Sequence, residues 1–224
     1  MDGFGIVWKG LRDSFQNVFL FVPATLVWGL CAVTVVLAPG ATVALFRFAD
    51  PRLGLGAERP SARESLGMIT RDLARGWKLA LLTLPLIALL VFNLFIYSGD
   101  GAAVAVLAPV WLFLLLILVC VTLLSFAMCA LQDKAPLDAI RLSAIITMAK
   151  LPRVAIVLLS IALLSVVSRV VIVPLVLILP ATIAAIIDRL LLQTLGIAVL
   201  DPSAATEERQ LERQAAKRGS RWRP

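Results

Sequence analysis

Long uninterrupted apolar runs constrain the fold of this 224-residue chain more than any other feature. They predict helices near residues 18–37, 79–97, 102–128, 154–168 and 170–187. A helix needs about 20 apolar residues to cross a hydrocarbon core roughly 30 Å thick, and the first three runs approach or exceed that length. Hydrophobic residues make up 61% of the chain and charged residues only 16%, which excludes an ordinary soluble globule. We therefore expect an all-α fold: a polytopic membrane bundle of about five transmembrane helices in a single domain over residues 1–200.

The last apolar stretch, from Val154 to Ile187, contains a single charged residue, Arg169. It is too long for one crossing and short for two. The simplest interpretation is two short helices that turn at Arg169, whose long side chain reaches the headgroups. One long kinked helix with Arg169 buried is the alternative.

The distribution of basic residues predicts the orientation of the chain. Of the 21 Lys and Arg residues, 18 lie in residues 47–78, 132–153 and 189–224. Basic loops are retained in the cytoplasm, so this side is predicted to be cytoplasmic, including a polar basic tail at 201–224. Five crossings then place the N-terminus outside and the C-terminus inside. If residues 18–46 instead form a re-entrant hairpin, four crossings remain and the N-terminus is also inside.

Three amphipathic helices are expected at the membrane interface, near residues 4–16, 61–78 and 136–150. Ser61 and Glu64 have the spacing of a capping box that starts the second of these helices. Four basic residues of the second and third helices form a candidate surface for docking a partner or lipid: Arg71, Arg75, Lys78 and Arg141. A solvated basic face without a partner is the alternative interpretation.

The sequence contains no recognisable catalytic or metal-binding motif. The chain has no histidine, and its three cysteines lie within or at the end of apolar runs without metal-ligand spacing. We therefore expect no enzymatic activity and no cofactor. Polar residues within membrane helices are candidate ligand or packing positions, and we select Asn93, Ser165 and Arg169. Nucleic-acid binding is not expected, because no aromatic platform accompanies the positive charge.

The residues after the first apolar run form a recognisable pattern: Pro39, Ala41, Thr42, Ala44 and Leu45, in the order P-x-A-T-x-A-L. This pattern resembles the YesL-like family of bacterial integral membrane proteins, as do the basic helix that follows and the Trp77-Lys78 pair. The resemblance covers roughly residues 18–97. It implies a multi-pass protein of the bacterial cytoplasmic membrane, with a link to carbohydrate uptake and no catalytic residues. In physical terms, we expect Pro39 to end the first helix, and small Ala41 and Thr42 to allow close packing.

Two functions are compatible with these features. The first is a non-enzymatic accessory or assembly factor that acts in the lipid bilayer on a transporter subunit or by self-association. The alternative is a small oligomeric transporter or permease subunit. A lipid-modifying intramembrane enzyme would need buried acid–base groups, which the apolar runs do not supply.

Overall fold

The computed structural model describes residues 3–52, 62–97, 107–170 and 174–197. Every regular element in these ranges is a helix and none is a strand, so the predicted all-α class is confirmed. The helices are α1 (Gly3–Gln16), α2 (Val18–Val33), α3 (Ala38–Ala49), α4 (Ala62–Tyr97), α5 (Ala108–Gln132), α6 (Pro136–Ala149), α7 (Leu151–Val170) and α8 (Pro174–Thr194). The predicted cap Ser61 and the predicted tail 201–224 lie outside the described residues.

Fewer helices qualify as membrane spans than the sequence predicts. Among the described residues, α4, α5 and α7 are long and apolar enough to cross a membrane. A fourth span results if α1 and α2, which meet at 92°, are counted as one bent unit. Five transmembrane helices are therefore not confirmed.

Helix α4 joins the predicted interfacial helix and the predicted second crossing into one element of 36 residues. At 1.5 Å per residue it is about 54 Å long, well beyond a hydrocarbon core of roughly 30 Å. Gly76 lies near the predicted boundary, but one glycine costs a helix only about 1 kcal/mol and does not end it. The N-terminal part of α4 is therefore a rigid extension of a membrane helix.

The first 50 residues depart furthest from the sequence-based expectation. Helix α2 ends at Val33, and a turn with Val35 at a φ of 55° leads into α3. Pro39 does not end the first helix, as we expected, but lies in the first turn of α3. Proline is tolerated there because the first-turn N–H groups have no partner within the helix.

Helix α8 forms the centre of the bundle and contacts α1, α2, α3, α5 and α7. Its residues 184–192 are buried on every face, including Asp188 and Arg189. Helices α7 and α8 are separate elements on either side of residues 171–173, which are not described. Arg169 lies in the last turn of α7, and its side chain is outside the described part of the structure.

The two ends of the segment 3–52 lie on the same side of the bundle. A Cβ atom at Gly3 would lie 3.2 Å from the carbonyl oxygen of Arg153, in the first turn of α7. At the other end, Arg52 Nη2 donates to the carbonyl of Leu131, 3.2 Å away, in the last turn of α5. We call this side, marked by residues 47–52, 131–136 and 149–153, the charged flank.

Candidate functional site

Helices α3 and α4 cross closely because each contributes a glycine at the contact. A Cβ atom on Gly76 would lie 2.5 Å from the Pro39 carbonyl, and one on Gly40 would lie 2.7 Å from the Ile69 carbonyl oxygen. Neither distance is compatible with a side chain, so only glycine permits this approach. The crossing fixes the N-terminal extension of α4 against the core.

The residues of the P-x-A-T-x-A-L pattern are all part of this packing unit. Ala41 and Ala44 are buried in a small cluster with Cys31 and Ile69, and Leu45 belongs to the main core. The Thr42 hydroxyl donates to the Ala38 carbonyl and accepts a 3.1 Å hydrogen bond from Trp28 Nε1. The pattern therefore specifies how α2, α3 and α4 pack.

Four side chains on the charged flank form a network that we call the charged cluster: Arg47, Asp72, Arg75 and Asp133. Arg47 Nε lies 2.9 Å from Asp72 Oδ2, and Asp72 is only 1% exposed. Arg47 Nη2 and Arg75 Nη1 both donate to Asp133 Oδ1, the second at 2.8 Å. Because these residues lie on α3, on α4 and after α5, the cluster connects three helices.

Asp133 ends α5 in the left-handed conformation, with a φ of 52°, which Asp adopts more readily than most residues. The hydrogen bond from Arg47, and then that from Arg75, lowers the pKa of Asp133 below its ordinary value. The carboxylate is therefore stabilised in its charged form.

A second charged group lies where α3 meets α8. Arg52 donates from Nε and Nη2 to the Asp50 carboxylate at 2.8–3.0 Å, and this hydrogen bonding raises the pKa of Arg52. Asp188 of α8 is fully buried nearby, and neither of its carboxylate oxygens has a hydrogen-bond partner among the described residues. Buried polar atoms without partners are rare in native proteins, so Asp188 is a candidate functional group.

The most buried ion pair joins the first helix to the last. Arg189 donates from Nε and Nη2 to Asp13 Oδ2, with Arg189 only 2% exposed. Gly10 allows α1 to approach, since a Cβ atom there would lie 2.6 Å from the Ile186 side chain. Neither Asp13 nor Arg189 was predicted from the sequence as a functional residue. The spacing of Gly3, Ile6, Gly10 and Asp13 along one face of α1 is the sequence signal for this contact.

The structure describes two of the three predicted ligand positions, Asn93 and Ser165, whereas the side chain of Arg169 lies outside the described residues. Asn93 is half-buried on α4, and Ser165 lies on α7, where its hydroxyl donates to the Ile161 carbonyl at 2.8 Å. Helices α4 and α7 have no extensive contact with each other. Asn93 and Ser165 therefore belong to separate surroundings.

The predicted docking residues divide into two groups. Arg75 is engaged in the charged cluster. Arg71, Lys78 and Arg141 are exposed, and none of them forms an ion pair within the described part of the chain. We call these three residues the cationic platform.

An apolar groove of about 310 Å³ lies between α5, α6 and α7. Its lining consists of Phe113, Leu116, Ile117, Cys120, Thr147, Leu151, Val154, Ala155, Leu158, Leu159 and Ala162. The Thr147 hydroxyl, one of its few polar groups, is bonded to the Ser143 carbonyl at 2.8 Å. Leu159 is 72% exposed, so the groove opens laterally toward the surroundings of the bundle.

Comparison with known proteins identifies no further site, and neither do the cysteines and potential metal ligands of the described residues. No family model matches the chain, and no curated protein or solved structure is significantly similar to it. The three cysteines are buried with free thiols. Within the described ranges, no three His, Cys, Asp or Glu residues are grouped as metal ligands would be. The YesL-like resemblance stays a prediction.

Proposed function

We propose that this protein is a non-enzymatic accessory or assembly factor of the bacterial cytoplasmic membrane that docks a membrane partner. The observation that carries the proposal is the cationic platform. Arg71 and Lys78 lie exposed on the extension of α4, and Arg141 lies exposed on α6, which packs against α4. Unpaired exposed cations favour an acidic surface through charge complementarity. The YesL-like resemblance favours a subunit of a carbohydrate uptake system as the partner.

The proposed topology has four crossings, formed by α4, α5, α7 and α8. The segment α1–α3 is re-entrant: it enters the bundle from the charged flank and returns to the same flank. Two contacts support it: Gly3 lies against Arg153, and Arg52 against Leu131. Because loops rich in basic residues are retained in the cytoplasm, we infer that this flank and both termini face the cytoplasm. Reporter fusions at both ends test the topology: cytoplasmic signals from both are expected, and a periplasmic signal from the N-terminal fusion would refute it.

Hydrogen bonding within the membrane helices supports the accessory role over the alternative of a small transporter or permease subunit. The hydroxyls of Thr122, Ser160 and Ser165 each donate at 2.8 Å to a carbonyl one turn earlier in their own helix. A solute pathway needs polar groups that face the solute, whereas these donors are already satisfied. Proteoliposomes of the pure protein are expected to show no solute flux, and protein-dependent flux would favour the alternative.

Photo-crosslinking in native membranes tests the platform directly. A photoreactive residue at position 137 or 145, next to Arg141 on α6, is expected to capture one transporter subunit, identified by mass spectrometry. Arg71→Glu with Arg141→Glu should abolish the crosslink. Arg12→Glu, a charge reversal at an exposed position of α1, is the matched control and should preserve it.

Measuring the membrane accumulation and thermal stability of each variant excludes misfolding as the cause of a lost crosslink. Arg71→Gln with Arg141→Gln removes the two charges without reversing them and is a milder change than the two Glu substitutions. A crosslink that survives reversal of both platform charges, or capture of this chain alone, would overturn the proposal.

A further inference from the structure

The side chain of Asp188 lacks the partners that a buried charge needs. Asp188 is 0% exposed, and neither of its carboxylate oxygens accepts a hydrogen bond within the described ranges. A buried carboxylate pays a large desolvation cost in its charged form, and it becomes neutral unless a cation or hydrogen-bond donors compensate it. The state of Asp188 therefore depends on the charges that face it.

The charges that act on Asp188 come from the end of α3, which packs against α8. The negative charge of Asp50 disfavours a charged Asp188, whereas the positive charge of Arg52 favours it. The Arg52 guanidinium is already engaged: it donates to the Asp50 carboxylate at 2.8–3.0 Å and to the Leu131 carbonyl at 3.2 Å. The charges of Arg52 and Asp50 compensate each other, and no positive charge is left over for Asp188.

The other helices packed against α8 bring no further cation to Asp188 in the part of the chain that the structure describes. Helices α2 and α5 contain no charged residue, and their titratable groups are buried cysteine thiols. On α1, Asp13 is paired with Arg189, the neighbour of Asp188 on α8. The remaining charged residues on these helices are Lys9 and Arg12 on α1, Arg47 on α3, and Arg153 and Arg169 on α7.

We propose that Asp188 binds a proton, and that Arg52 becomes its counter-ion when the proton leaves. On release the O–H bond breaks, its electron pair stays on the carboxylate, and water on the charged flank takes the proton. Arg52 then faces two carboxylates, and its hydrogen bond to the Leu131 carbonyl competes with them. The protonation of α8 is thereby coupled to the contact between α3 and the end of α5. The proposal is independent of the cationic platform, because no platform residue takes part.

Infrared spectroscopy of the full chain in lipid nanodiscs tests the proposal, because a protonated carboxyl group absorbs at a higher frequency than a carboxylate. At pH 7 the wild type should show the carbonyl band of a protonated carboxyl group, and Asp188→Asn should remove it. Asp133→Asn is the matched control and should leave the band unchanged, since Arg47 and Arg75 hold that carboxylate in its charged form. If Asp188→Asn fails to fold, Asp188→Glu, which keeps a carboxyl group in altered surroundings, should shift the band.

The pH at which the band disappears reports on the two neighbours of Asp188. Asp50→Asn removes a negative charge and frees Arg52, so it should lower that pH. Arg52→Gln removes the counter-ion and should raise it. Arg71→Gln removes an exposed cation from α4, which has no extensive contact with α8, and should leave the midpoint unchanged. A merely structural role for Asp50 or Arg52 would alter stability without moving the midpoint.

The bound proton also predicts a pH-dependent difference in stability. Above the ordinary carboxyl pKa near 3.9, the folded chain holds one more proton than the unfolded chain, so unfolding becomes easier as the pH rises. One proton corresponds to about a tenfold change in the unfolding equilibrium per pH unit. The unfolding equilibrium constant of the wild type, divided by that of Asp188→Asn, should therefore rise about tenfold per unit between about pH 5 and 7.

Four results would overturn the proposal. Absence of a carboxyl band that depends on Asp188 at pH 7 would show that this group is charged. Loss of the band on addition of sodium or potassium ions at constant pH would identify a metal-cation site instead. A midpoint that Arg71→Gln moves as far as Asp50→Asn or Arg52→Gln would show a response to net charge alone. A stability ratio that does not change with pH would show that no proton is bound on folding.

Discussion

The ion pair between Asp13 and Arg189 gives the sharpest stability prediction. Removing one partner of a buried pair leaves an uncompensated charge and costs about 3–5 kcal/mol, whereas exposed pairs contribute about 0.2–1 kcal/mol. Arg189 is 2% exposed, which places this pair in the buried class. We therefore expect Arg189→Met to lower the free energy of unfolding by about 3 kcal/mol or more, a factor of about 150 in the unfolding equilibrium.

The double variant distinguishes the charge from the packing. Replacing both partners by apolar residues removes the buried charges together, so Asp13→Leu with Arg189→Met should recover most of the lost stability. The assay is reversible unfolding in mixed micelles, followed by circular dichroism, with the exposed Arg71→Met as the control. A cost below about 1 kcal/mol for Arg189→Met, or a double variant that costs the sum of the single variants, would refute the reasoning.

Three further predictions concern the α3–α4 crossing and the charged cluster. Gly76→Ala places a Cβ atom 2.5 Å from the Pro39 carbonyl and should destabilise the protein by about 1–3 kcal/mol; Gly67→Ala in the same helix meets no atom within 4 Å and should stabilise it by up to about 1 kcal/mol. Equal melting temperatures for these two variants would contradict the close crossing. Trp28→Phe removes the donor to Thr42 and should cost about 0.5–1.5 kcal/mol in the unfolding assay, whereas Trp8→Phe, at an exposed position, should have no effect. The pKa of Asp133 is lowered in the folded state, so its stabilising contribution is present above the ordinary carboxyl pKa near 3.9 and is lost as the pH falls through the lower folded value. The melting temperature of Asp133→Asn should therefore lie below that of the wild type at pH 7, and the two melting temperatures should be equal near pH 2. A difference that does not change with pH would contradict this prediction.

The apolar runs predicted the helical class because run length and hydropathy are local properties of the sequence. Helix ends were less predictable. Pro39 has the same local signal whether it ends one helix or begins the next, and tertiary packing against Gly76 decides between the two. In the sequence, Gly76 favours the end of a helix, whereas in the structure it lies within α4 and permits the α3–α4 contact.

The charged residues that matter most were not predictable, because their partners lie far apart in the sequence. In the sequence, Asp13 lies close to Lys9 and Arg12 and therefore resembles a solvent-facing residue. Arg189 resembles the first residue of a basic tail. Arg75 was predicted as part of a docking surface, but Asp72 and Asp133 engage it. Periodicity assigns a residue to a helix face, but it does not say which charge will meet that face.

The enclosure of α8 has a consequence for biosynthesis. Arg189 follows Asp13 by 176 residues, and chains grow at about 5–20 residues per second. For roughly 9–35 s after Asp13 is synthesised, Arg189 and the rest of the buried part of α8 are still missing from the chain. Release from the insertion machinery before α8 arrives would leave α1, α2 and α3 without the helix against which all three of them pack.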